Sequence, residues 1–146
     1  MIDHLTVAVT DLAGSKEFYG KVFAALGYSL KRDYGVICGF GDERKPYYWL
    51  KQAETATTPQ HIAFVAKTRA DVDAFHKAAL EAGARDDGAP GLREHYHPHY
   101  YGCFVIDPLN GHPIEAVCHL APGVPAAKKT APSKKPAAKK AAKKKR

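Results

Sequence analysis

Three groups of residues give this sequence its capacity for chemistry. The first is a pair of histidines. His4 and His61 head matching stretches 57 positions apart, His4-Leu-Thr-Val-Ala-Val and His61-Ile-Ala-Phe-Val-Ala, and at the same offset Phe18 matches Phe75 and Tyr19 falls on His76. Neutral imidazoles suit borderline divalent ions. The second is the array His95, His97, His99. In an extended segment its three rings would share one face, as metal ligands do. Pro98 and the glycine-rich lead-in instead favour a solvated or substrate-capping loop. The third is a run of cations: Lys128, Lys129, Lys134, Lys135, Lys139, Lys140, Lys143, Lys144, Lys145 and Arg146, with no acid over residues 126–146. Such a run can neutralise several phosphates and give weak, salt-dependent, sequence-independent binding to nucleic acid. It holds no aromatic for base stacking.

The charge balance separates tail from body. The chain has 22 Lys+Arg against 15 Asp+Glu and a formal charge of +7, yet residues 1–125 by themselves carry −3. Residues 121–146 contain four prolines and nothing large to bury beyond Val124, so a disordered basic tail is expected there. About 120 residues remain, enough for one core. The 45% apolar content argues against wholesale disorder. No apolar run is long enough to span a membrane. No secretory signal is visible at the start. Cys38, Cys103 and Cys118 lie in apolar surroundings and read as reduced, buried thiols, with the cytoplasm as the expected location.

The elements that must position the histidines follow from periodicity. Each repeat begins with a β-branched, strand-like stretch. Asp11 offers an N-cap, Phe18, Tyr19, Val22, Phe23 and Leu26 follow at helical spacing, and Gly27 stops the run. In the second repeat Thr68 and Asp71 resemble a capping box, Val72, Phe75, Ala79 and Leu80 form the stripe, and Gly83 ends it. Strand-like pieces follow each helix: Tyr28–Asp33, Gly35–Gly41 and Tyr47–Lys51, then Ala84–Asp87, Tyr100–Asp107 and His112–His119. Asp107-Pro108-Leu109-Asn110-Gly111 is a strong turn. Residues 88–99 are expected to be a long loop. The reading is an α+β domain over 1–120, made of two βαβββ modules (about 1–57 and 58–120) whose curved mixed sheets surround a cleft.

This order, with Ile2-Asp3-His4-Leu-Thr-Val-Ala-Val-Thr-Asp11, Phe18-Tyr19, Gln60-His61-Ile-Ala-Phe-Val and Asp107-Pro108-Leu-Asn-Gly111-His-Pro-Ile-Glu115-Ala-Val, resembles the vicinal oxygen chelate superfamily over residues 2–119. That superfamily contains glyoxalase I, bleomycin-resistance proteins, fosfomycin-resistance enzymes and extradiol dioxygenases. The resemblance implies a divalent metal (Mn, Fe, Ni or Zn) held by His4, His61 and Glu115. The fourth family position falls at or near Trp49, whose indole cannot ligate, so the set resembles the three-ligand members. Glu115 would also act as the catalytic base. The dioxygenase tyrosine position holds Phe104, which leaves a lyase or isomerase slightly favoured over a dioxygenase. Trp49, Tyr48, Tyr100 and Tyr101 are expected to line the substrate pocket, although ordinary packing in a half-buried sheet would also account for the tyrosines. A small substrate with adjacent oxygens and a homodimer are implied. The alternatives are a metal-free small-molecule binder of bleomycin-resistance type and a nucleic-acid-associated protein acting through its tail.

Overall fold

The computed structural model describes residues 2–124; the cationic residues 128–146 lie outside the described residues. Strand β1 (Leu5–Val9) leads into helix α1 (Leu12–Ala24), then β2 (Ser29–Asp33), β3 (Ile37–Gly41) and β4 (Pro46–Gln52). The pattern repeats as β5 (Ile62–Val65), α2 (Arg69–Glu81), β6 (Arg85–Leu92), β7 (Tyr101–Ile106) and β8 (Pro113–Cys118). Each module forms one four-stranded mixed sheet, ordered β1-β4-β3-β2 and β5-β8-β7-β6. The first and last strands of each module pair in parallel, and the remaining pairs are antiparallel.

The helices start and stop where local chemistry requires. The Asp11 carboxylate accepts from the Gly14 amide at 2.9 Å and satisfies one of the free donors at the helix start. At the other end Gly27 adopts φ 76°, which lets Tyr28 N–H return to the Phe23 carbonyl at 3.0 Å. In α2 the Thr68 hydroxyl accepts from Asp71 N and the Asp71 carboxylate accepts from Thr68 N, closing the capping box.

Each helix covers one face of its own sheet, and the two helices pack on each other. Strand alternation then sorts the side chains. Val7, Val9, Cys38, Phe40, Tyr48 and Leu50 are buried on the α1 side, while Cys103, Val105, Ile114, Ala116 and Cys118 are buried on the α2 side. Phe23 joins the modules: its ring lies 4.8 Å from Phe64 of β5 and 5.5 Å from Phe40 of β3, centroid to centroid. A buried polar network adds a second joint. Asp107 accepts from the Tyr19 hydroxyl of α1 at 2.9 Å and from Asn110 Nδ2 at 2.9 Å, while Asn110 Nδ2 also reaches Ser15 Oγ at 3.1 Å.

One expectation is corrected. Residues 88–92 are strand rather than loop, because β6 continues to Leu92 with register shifts around Gly88. β6 is an edge strand, where a proline such as Pro90 and a bulge are tolerated. The three cysteines are free and buried. Burial pushes the Cys103 thiol up to about 12, so it is an inert apolar group near neutral pH. Among the described residues no helix is long and apolar enough to cross a membrane.

Candidate functional site

The sheet face opposite α2 carries the densest chemistry. Glu115 of β8 pairs in register with Ala63 of β5, and alternation points its side chain away from α2 while Ile114 and Ala116 face the core. Glu115 is 2% exposed. Its Oε2 lies 3.0 Å from His61 Nε2, and its Oε1 accepts from the Tyr100 hydroxyl. Burial, reinforced by the adjacent carboxylate, holds the Tyr100 phenol well above its usual range, so it is a donor over the working pH range. Gly102 makes room for this contact: a Cβ there would lie 3.2 Å from Glu115 Oε1 and 3.2 Å from the Tyr100 ring. Phe104 closes one side, its ring 6.0 Å from that of His61.

The corresponding face of the first module is built differently. Thr6 pairs with Trp49 as Ala63 pairs with Glu115, so Trp49 is the register equivalent of Glu115. The indole sits over Gly39, where a Cβ would come within 2.8 Å of it, and stacks on Tyr34 at 6.5 Å with an 8° interplanar angle. His4 is exposed just ahead of β1, its Nδ1 2.8 Å from Asp3 Oδ1. Asp3 also takes the Lys45 ammonium, and both contacts hold its carboxyl below the usual carboxylate range.

Within one chain, therefore, His61, Glu115 and Tyr100 meet, and His4 does not join them. Among the described residues no three His, Cys, Asp or Glu side chains converge to hold an ion. Tyr101, next to Tyr100, points to the other face: its hydroxyl donates to Asp73 of α2 at 2.8 Å, and the Arg69 guanidinium lies 5.0 Å from its ring centroid. Tyr48 is likewise on the helix side and 3% exposed. It borders an apolar cavity of about 530 Å³ between the modules, shared with Phe23, Phe40, Ile62 and Phe64 and bordered by His4.

The histidine array is not an extended row. Residues 93–100 fold into turns, with Tyr96 N bonded to Arg93 O at 2.9 Å and Tyr100 N to His97 O at 3.2 Å. His99 takes φ 70°, and the rings diverge: His95 packs on Tyr96, while His97 Nε2 lies 2.8 Å from His119 Nδ1. The loop's product is the placement of Tyr100, whose ring meets both Tyr96 and His97.

Sequence reading missed His112. It is fully buried, and its Nδ1 accepts the Gln60 amide at 2.9 Å. A single histidine ahead of a strand carries no periodic signal. His119 carries no linear signal of its partner either, because nothing in the sequence links residues 97 and 119.

The family model for the Glyoxalase/Bleomycin resistance protein/Dioxygenase superfamily matches residues 1–116, and the chain belongs to that superfamily. Among solved structures it is similar to a glyoxalase/bleomycin resistance protein from Albidiferax ferrireducens, with 25% identity, TM-score 0.69, and coverage of 80% of this chain and 97% of the other. A glyoxalase/bleomycin resistance protein/dioxygenase family enzyme from Burkholderia phytofirmans shares the fold at 20% identity, TM-score 0.62, covering 82% and 98%. So does a glyoxalase-related enzyme from Fulvimarina pelagi, at 18% identity and TM-score 0.61, covering 81% and 87%. No curated protein matches the chain.

Proposed function

We propose that this protein is a divalent-metal enzyme of glyoxalase type, a lyase or isomerase acting on a small substrate with adjacent oxygens. His61 and Glu115 of one chain, together with His4 of a second copy, would hold the ion. The observation that carries the reading is the His61–Glu115 pair, at 3.0 Å on an open sheet face. Two donors each about 2.1 Å from one ion lie roughly 3 Å apart when they subtend a right angle at it, so the pair fits a shared ion. Manganese, iron, nickel or zinc suits two imidazoles and a carboxylate.

The residues divide the work. A bound ion would polarise the substrate oxygens as a Lewis acid. Glu115, the only carboxylate at a ligand position, is the group able to take a proton from a neighbouring carbon. Tyr100, kept protonated, can return one or hold the carboxylate in place. Phe104 and the partner's indole would shield the site from water.

His4 lies apart from His61 within one chain, and apolar residues are left uncovered ahead of β1, in the β2–β3 turn and in β5: Ile2, Val36 and Val65 are 85%, 66% and 63% exposed. A homodimer that sets the first module of one chain against the second module of the other would cover them and complete the ligand set twice. The second reading, a metal-free small-molecule binder, is favoured by one observation, the apolar cavity of about 530 Å³. Nucleic-acid association through Lys128–Arg146 is a separate expectation, tested by gel shift with and without residues 121–146. Metal analysis of tag-free protein separates the two main readings. One equivalent of divalent ion that is lost in His61→Ala supports the enzyme; none in either form contradicts it and supports the binder.

A further inference from the structure

We infer that His112 is a positioning residue for His61, and this rests on the reading of His61 as a ligand. His61 stands just outside the sheet: the β5–β8 ladder begins at Ile62, paired with Ile114, and among the described residues β5 is an edge strand with no neighbour on its other side. Upstream, Thr57 is tied to Ala8 by two hydrogen bonds of 2.9 Å; over residues 58–61, besides the sheet ladder, one long-range bond holds the described backbone, from Gln60 N–H to the His112 ring at 2.9 Å.

The chemistry of that bond fixes the imidazole. An amide can only donate, so Nδ1 carries the lone pair and the proton sits on Nε2. Nε2 is buried and finds no partner among the described residues. A buried donor without a partner is unfavourable, and an apolar side chain would avoid it. What the histidine alone provides here is the acceptor aimed at Gln60. Burial lowers its basicity, which keeps that lone pair available.

His112 is itself firmly seated. Its carbonyl accepts Asp107 N at 2.9 Å, and Gly111, at φ 72°, lets its N–H return to the Asp107 carbonyl at 3.0 Å. The Asp107 carboxylate accepts Leu109 N at 2.8 Å and Tyr19 of α1. The turn is thus anchored in the first module, and His112 carries that anchorage to the residue before His61. The ring is three residues from Glu115 in the chain, so one short segment places both members of the pair.

The test compares the full-length chain with His112→Asn and His112→Leu. Three quantities are measured: Gln60 amide hydrogen exchange by NMR, zinc affinity by competition with a chromophoric chelator, and the denaturation midpoint. Asn keeps an acceptor at the δ position and should retain Gln60 protection and zinc affinity near wild type. Leu should lose the protection and weaken zinc binding by roughly 10–100-fold, the range for outer partners of metal ligands, with a midpoint that does not track the loss. Equal behaviour of Asn and Leu, or unchanged Gln60 exchange in Leu, would overturn the inference. If His112→Leu does not fold, His112→Gln takes its place. Its acceptor sits at the ε position and should not rescue; rescue by Gln would overturn the inference equally. If the wild-type chain binds no zinc, the metal reading fails on its own. Gln60 exchange, with the His61-to-Phe104 ring contact read by NMR, then decides the positioning role.

Discussion

The two modules share one topology and opposite surfaces. In the first, the face away from the helix carries Trp49 laid over Gly39 and stacked on Tyr34. In the second, the equivalent strand position holds Glu115, with Phe104 where the first module has Gly39 and Gly102 giving the carboxylate its space. Exchanging a large for a small residue on neighbouring strands turns one face into an apolar wall and the other into a polar cluster of Glu115, His61 and Tyr100. The lesson is that a duplicated scaffold can carry unlike surfaces without any change in backbone plan. The His4 and His61 positions survive in both halves, yet only His61 meets a carboxylate of the sheet. His4 is engaged by Asp3, which also holds Lys45.

The comparison can be broken most severely at the joint between the modules. Phe23→Ala should cost about 3–5 kcal/mol by urea denaturation, since Phe23 packs against rings from both halves. Next comes the polar cluster. Glu115→Ala should reduce zinc affinity by more than the roughly 10–100-fold typical of an outer partner, while Trp49→Ala, at the matching position, should leave it within a few-fold. Calorimetric titration checks both. Smaller is the effect of filling the glycine cradles. Gly39→Ala should destabilise by about 1–3 kcal/mol through overpacking against Trp49 and Pro46. Gly102→Ala, whose contacts begin at 3.2 Å, should cost less in stability but displace Tyr100 from Glu115, visible as a shift in the Tyr100 ring resonances.

The smallest effect concerns pH. Burial lowers the His112 basicity in the folded chain, opposed by the nearby Asp107 charge. Below the unfolded value near 6.5 the unfolded chain takes up this proton first, so stability is full above about 6.5 and declines as pH falls towards the folded value. His112→Asn should remove that slope, as read from denaturation midpoints across pH 5–8.

How much of this was legible in the sequence depends on the kind of signal. Helix limits were readable because Asp11, Gly27, Thr68 and Gly83 act on their own neighbours. The repeat was readable because His4, His61 and the aromatic spacing recur. Side-chain direction was less so. Tyr100 and Tyr101 are adjacent and chemically alike, and only the register of β7 decides that one meets Glu115 and the other Asp73. β6 was obscured because its glycines and proline suit a bulged edge as well as a loop. The pairs His97–His119 and Gln60–His112 join segments with no shared periodicity, and only the folded chain brings them together.

The proposed ligand set is completed between two copies of the chain. Its most direct test mixes His4→Ala with His61→Ala after separate purification and dissociation, then measures bound metal by mass spectrometry. A set shared across the dimer restores one intact site in each mixed dimer, so the mixture should regain metal that neither variant holds alone. A mixture as empty as its two components, with mixed dimers demonstrably formed, would contradict it.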